Sequence, residues 1–165
     1  MSQVIKILMV DDHPIIIEGY QNTLMATKNE DQTLIIDTAN DCDTANLLMQ
    51  KSAQDVPYDV LFFDIRLPGS KDGKITSGED LGVIAKKILP NAKIIILTMF
   101  NESYRIHNII KNVDPDGFLI KSDLTSSELA EAFQHILVSP PYYSSTVSIF
   151  LNKLVTSDIH IDDIN

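Results

Sequence analysis

A chain of 165 residues with 44% hydrophobic residues is long enough for one domain with a real core and too apolar to be disordered. Its net charge of −10 argues against nucleic-acid binding by this stretch itself, because phosphate backbones attract basic surfaces. Cys42 is the only cysteine, which excludes an internal disulfide and fits a reducing compartment. The first apolar run is short and contains Lys6, so neither a signal peptide nor a membrane span is expected, and a cytoplasmic protein is.

In chain order, Val4–Val10 predicts a first strand that runs into the adjacent carboxylates Asp11 and Asp12 of "VDDHP". Pro14 to Thr27 carries Ile15, Ile16, Tyr20 and Leu24 at helical spacing. Thr33–Thr38 predicts a second strand, followed by "DTAN", to which no site role falls. Asp41–Ala53 predicts a helix capped by Asp41 or Asp43. Tyr58–Phe63 predicts a third strand, with Asp64 at its end. "GSKDGKITSGED" (Gly69–Asp80) reads as a long polar loop, and a third helix over Glu79–Ile88 stops before Pro90. Lys93–Leu97 predicts a fourth strand ending at Thr98, and Asn101–Lys111 a helix capped by Asn101. Gly117–Ile120 predicts a fifth strand ending at Lys121. The helix after it starts at Thr125 or Ser126, with Glu128 placed for a capping box. Beyond "SPPYY", Val147, Phe150, Leu151 and Leu154 sit at helical spacing and predict a sixth helix.

The strands are mostly solid apolar runs rather than alternating ones, the pattern of strands covered on both faces. The expected fold is therefore an α/β, three-layer (βα)5 doubly wound parallel sheet, strand order 2-1-3-4-5, of the flavodoxin-like or CheY-like kind. The expected organisation is one domain over 1–138 and a linker over 139–165 with a helix at about 145–155.

Parallel strands all end at one edge, so Asp11, Asp12, Asp64, Thr98 and Lys121 are expected to meet there, where open α/β sheets bind ligands. Three crowded carboxylates call for a cation. Oxygen donors with open positions favour Mg2+, which commonly pairs with phosphate. Lys121 and the Thr98 hydroxyl suit the remaining phosphate oxygens, and a carboxylate can serve as the phosphoryl acceptor. Singly, each residue has a plainer reading. Asp11 and Asp12 can be a solvated turn opening a helix, Asp64 a turn residue, Thr98 a strand residue, Lys121 a surface charge and Phe118 core. Their joint placement favours the site. His13, His107, His135 and His160 have no ligand spacing with one another or with Cys42 and read as surface or boundary residues. Asp158, Asp162 and Asp163 read as a solvated tail.

"VDDHP", "FFDIRLPG", "ILTMF" and "GFLIKSD", in this order and spacing, resemble the receiver domain of two-component response regulators over about Val4 to Val138. "DDHP", "PYYSSTV" and the helix that follows resemble the NarL/FixJ subfamily, whose members carry a LuxR-type helix-turn-helix domain after the receiver. None is visible here, so a truncated chain or a stand-alone receiver is expected. The resemblance implies that Asp64 accepts a phosphoryl group from a sensor histidine kinase. It implies that Asp11, Asp12, Asp64 and the backbone carbonyl of Arg66 hold Mg2+, and that Lys121 pairs with the phosphoryl group. Thr98 and Phe118 would switch together and remodel the surface of helix four, strand five and helix five. A homodimer on phosphorylation, and DNA contact only through an effector domain, follow from the same resemblance.

Four features depart from the family pattern. The loop after Asp64 is longer than usual, counting Gly78 as the helix-three glycine, and would shield the site or touch a partner. Met99 replaces a small residue and should narrow access to Asp64. Ser122 replaces a common proline and puts the usual cis bond in doubt. Arg66 and Phe100 sit where relatives tune dephosphorylation. A haloacid-dehalogenase-like phosphatase would need a second aspartate where Arg66 stands. A flavodoxin-type flavin site would need a phosphate cradle where "DDHP" repels phosphate. A receiver-like interaction module that is never phosphorylated is the third rival, kept open by Met99 and the loop.

Overall fold

The computed structural model describes residues 2–99 and 103–152. Its strands are β1 (Gln3–Val10), β2 (Gln32–Ala39), β3 (Val60–Asp64), β4 (Lys93–Thr98), β5 (Gly117–Ile120) and a two-residue β6 (Tyr142–Tyr143). They form one parallel sheet in the order β2-β1-β3-β4-β5-β6. The helices between them are α1 (Pro14–Thr27), α2 (Cys42–Ala53), α3 (Gly78–Ile88), α4 (Ser103–Val113) and α5 (Ser126–Val138), and a further helix, α6, runs from 145 to 152. None of the described helices is long and apolar enough to cross a membrane.

Alternate residues of each strand feed two cores, which explains why the strands read as solid apolar runs. Leu8, Val10, Leu61, Phe63, Ile96 and Phe118 pack under α2, α3 and α4. Ile7, Met9, Val60, Phe62, Ile95 and Leu97 pack under α1 and α5, where Phe62 stacks on Phe133 at 6.3 Å.

Local chemistry starts the helices. The side chains of Asp41, Ser77 and Thr125 accept from the main-chain N–H groups of Thr44, Asp80 and Glu128, so each supplies one of the acceptors that a helix start lacks. The capping box of α5 is half made, because Glu128 Oε1 is buried without a partner. The expected caps narrow to Asp41 in α2 and Thr125 in α5. The expected cap Asn101 lies outside the described residues, as do Phe100, His160, Asp158, Asp162, Asp163 and the end of the sixth helix.

The third strand begins at Val60 rather than Tyr58. Tyr58 instead turns its hydroxyl to Asp37 Oδ2 at 2.7 Å, while Asp59 pairs with the Lys6 main chain. The sheet also exceeds the expected five strands. Tyr142 N donates to Asp116 O and Ser144 N to Phe118 O, each at 2.9 Å, so the chain after α5 adds to the β5 edge. Val147 of α6 is fully buried in the core that also holds Phe118, Ile120, Ile106 and Ile109, with Phe150 and Leu151 packed against that core. The segment 142–152 thus packs on the domain.

Candidate functional site

Strand register brings the predicted residues together. Val10 lies opposite Phe63, Asp64 opposite Leu97 and Thr98 opposite Ile120, so the chain leaves β1, β3, β4 and β5 at one level. The strand order reverses between β1 and β3, which places Asp11 and Asp64 on either side of the switch point. Asp11 and Asp64 are 3% and 4% exposed, and Thr98 is buried at the end of β4. Lys121 opens a short 3-10 turn at the end of β5 and reaches back, with its Nζ 2.5 Å from Asp11 Oδ2 and 3.1 Å from Asp64 Oδ2. Phe118 is buried in the core below α4.

Two buried carboxylates and the more exposed Asp12 thus face one ammonium. Burial, partly offset by Lys121 and reinforced by Asp11, holds the Asp64 carboxyl above its ordinary range. A hydrogen bond from the Arg66 main chain acts the other way. This excess of negative charge is the environment a divalent cation relieves. Asp11, Asp12, His13 and Asp64 each offer a donor atom, all within 4.8 Å of one another. These residues fit a bound Mg2+, which would neutralise the carboxylates and supply charge stabilisation at phosphoryl oxygens.

Two expectations need correction. His13 is exposed as expected, yet its Nδ1 lies 2.8 Å from Asp12 Oδ1 and 3.1 Å from Asp11 Oδ1, so it belongs to the cluster. The available signal was its adjacency to Asp12, since a search for His–His and His–Cys spacing passes over it. The end of β2 also contributes. Asn40 Nδ2 donates to the main-chain oxygen of Asp11 at 2.9 Å, and Asp11 N donates to Ala39 O, so this strand end holds the first carboxylate in place.

The loop after Asp64 folds back on the domain. Ile75 is buried in the core under α2–α4, and the turn at Gly73 (φ 74°) is held by Asp72, which accepts from Ser70 and Lys74. Its end borders the site in a groove lined by Asp12, Arg66, Thr76, Ser77 and Arg105. Gly78 then passes so close to Asp64 that a Cβ there would lie 2.0 Å from the Asp64 carbonyl oxygen, the reason a glycine closes the loop. Met99 is half exposed on a second groove of about 350 Å3, with Ile15, Tyr20, Lys121 and Leu124. The Lys121–Ser122 bond is trans, and Pro140–Pro141 is the one cis peptide among the described residues.

An acidic cluster with a bridging lysine at the switch point of a 2-1-3-4-5-6 parallel sheet defines a receiver-type signalling domain. The chain belongs to the response regulator receiver domain family, whose model matches residues 7–134. It is 27% identical over 153 residues to the oxygen regulatory protein NreC of Staphylococcus carnosus (strain TM300), covering 90% of this chain and 64% of that one. It is 26% identical over 141 residues to the transcriptional regulatory protein LnrK of Bacillus subtilis (strain 168), covering 83% and 57%. The chain thus spans less than two thirds of the length of these relatives. Among solved structures, the isolated receiver domain of RcsB from Salmonella enterica serovar Typhimurium, in the presence of phosphomimetic BeF3−, superposes with a TM-score of 0.70. The two are 23% identical, covering 90% of this chain and 99% of that one. A LuxR-family two-component response regulator from Aurantimonas sp. SI85-9A1 superposes at 0.73 and is 22% identical, covering 93% and 99%.

Proposed function

We propose that this domain receives a phosphoryl group on Asp64 from the phosphohistidine of a sensor histidine kinase. The P–N bond of the donor breaks, a P–O bond to an Asp64 carboxylate oxygen forms, and the histidine regains its proton. The observation that carries the reading is the Asp11–Lys121–Asp64 bridge, which places an acceptor carboxylate, a second carboxylate and an ammonium together at the sheet's ligand-binding edge. Asp11, Asp12, Asp64 and the Arg66 carbonyl would hold Mg2+, and Lys121 transfers its contact from Asp64 to the phosphoryl oxygens. Phosphoryl transfer is mainly positioning and charge stabilisation, which this edge supplies.

Thr98 and Phe118 carry the change outward to α4, β5 and α5. The domain comprises 1–138, and 139–165, of which 142–152 packs back on that domain, leads to an effector through which DNA is bound and transcription controlled, with a homodimer formed on phosphorylation and a cytoplasmic setting. Similarity to NreC and LnrK supports this regulatory output. Incubation with Mg2+ and acetyl phosphate, or with a phosphorylated kinase, should add one phosphoryl group by intact mass, and Asp64→Asn should abolish it. Labelling that persists in Asp64→Asn, or fails in the wild type with every donor, would overturn the assignment.

A further inference from the structure

We propose that Arg105, together with Arg66, forms an anion subsite beside the acceptor carboxylate, one that takes the oxygens of an incoming phosphoryl group. The inference rests on Asp64 being the phosphoryl acceptor, and it names the residues that draw the donor to it.

Arg66 and Arg105 are the only two arginines in the chain, and they lie far apart in sequence. The fold brings both to one groove of about 350 Å3, whose lining also includes Asp12 of the carboxylate cluster. Each arrives for a local reason. Ile65 and Leu67 are buried, so the alternating backbone past β3 turns Arg66 outward. On α4, Ile106, Ile109 and Val113 belong to the core, and Arg105 flanks that face, half-buried. Asn112, two turns on along the same side of α4, donates to Glu79 Oε1 of α3 at 3.1 Å, so this side of the helix faces α3. Thr76 and Ser77, where the long loop runs into α3, complete the lining. The loop after Asp64 thus supplies part of the subsite.

Two observations point to an anion. Arg105 Nε is buried without a hydrogen-bond partner, a donor held out of water with nothing to donate to. The chain also carries 23 acidic against 13 basic residues, so a dianionic phosphoryl group that approaches Asp11, Asp12 and Asp64 meets repulsion. Lys121 is already engaged by Asp11 and Asp64. Two guanidinium groups on one groove offset the repulsion, and their planar forks match phosphate oxygens in pairs, which the point charge of a lysine does not. A cation on Asp12 would neutralise the carboxylate in the lining. A purely structural Arg105 would pack its stem against α4 and the loop and leave anion binding untouched.

With two arginines, the 15N-labelled whole chain gives two arginine Nε–H resonances. Titrated with inorganic phosphate in the presence of Mg2+, both should move to saturation with one affinity, and sodium chloride at equal ionic strength should move neither. Arg105→Gln should weaken phosphate binding about tenfold, the loss of one charge-assisted contact, and leave Mg2+ binding unchanged within about twofold. Arg105→Lys, which keeps the charge without the fork, should recover part of that loss. With acetyl phosphate as donor, whose acyl O–P bond breaks as acetate leaves, the concentration that half-saturates labelling of Asp64 should rise about tenfold in Arg105→Gln, while the saturated rate changes less than about threefold. Phosphohistidine on a kinase is the second arm. A loss in both arms assigns the subsite to the phosphoryl group whatever its carrier, and a loss with acetyl phosphate alone assigns it to small free donors. Resonances that phosphate leaves in place, or affinities for phosphate and acetyl phosphate that Arg105→Gln leaves unchanged, would overturn the proposal. If phosphate binds the groove but no donor labels Asp64, the acceptor reading fails and the groove remains an anion site.

Discussion

Lys121 Nζ stands 2.5 Å from Asp11 Oδ2 and 3.1 Å from Asp64 Oδ2, so one ammonium from the end of β5 bridges carboxylates delivered by β1 and β3. The side chains of all three are at most 6% exposed. Buried like charges repel strongly in a medium less polar than water, and here the lysine compensates for both.

Removal of that charge should therefore be costly. Lys121→Met should destabilise the metal-free protein by about 3 kcal/mol, because it leaves buried carboxylates uncompensated. Urea denaturation at pH 7 measures the loss, and a saturating divalent cation should restore part of it.

Asp64→Asn should do the opposite in the absence of metal. Burial, against the opposing pull of Lys121 and with the added repulsion of Asp11, raises the folded-state value of Asp64 above 3.8. A raised carboxyl binds its proton more tightly when folded, so stability is lost as pH rises from 3.8 through the folded value. The amide escapes that loss. The gain in Tm should grow as pH rises above about 3.8 and disappear below it, and added divalent cation should reverse the order of wild type and variant at pH 7.

Gly78→Ala should disrupt both the fold and the site. The new Cβ would meet the Asp64 carbonyl oxygen at 2.0 Å, and backbone cannot yield as a side-chain tip can. A stability loss of about 3 kcal/mol is expected by thermal or urea melts, together with slower labelling of Asp64, since the same peptide carries both.

Cys42 should be inert in the folded protein. It is fully buried, and burial, with smaller contributions from Asp41, Asp80 and Asp43, pushes its thiol up to about 11. The thiolate is the reactive form, so a thiol-specific reagent should fail at pH 8 and react at once in denaturant.

Val147→Ala should cost about 2 kcal/mol, from two buried methyl groups and the cavity they leave. Val147 is fully buried in the core shared with α2, α3 and α4, so the loss should appear in the single cooperative unfolding transition of the domain. A transition unchanged in midpoint would show that α6 unfolds independently.

The sequence alone determined the five long strands, their parallel pairing and the meeting of Asp11, Asp12, Asp64, Thr98 and Lys121. Apolar runs without alternation mark two-sided burial, and parallel strands deliver their ends to one edge whatever the loops do. Tertiary structure alone decided the rest. Tyr142–Tyr143 is too short to signal a strand and becomes one only because the β5 edge offers unpaired main-chain groups. Asn40 reaches Asp11 across 29 residues of chain, a contact set by strand pairing and invisible to any local window. His13 reads as an exposed residue in the sequence. Its ring joins the carboxylates because the turn between β1 and α1 directs the side chain back over the strand ends, and that direction belongs to the folded backbone.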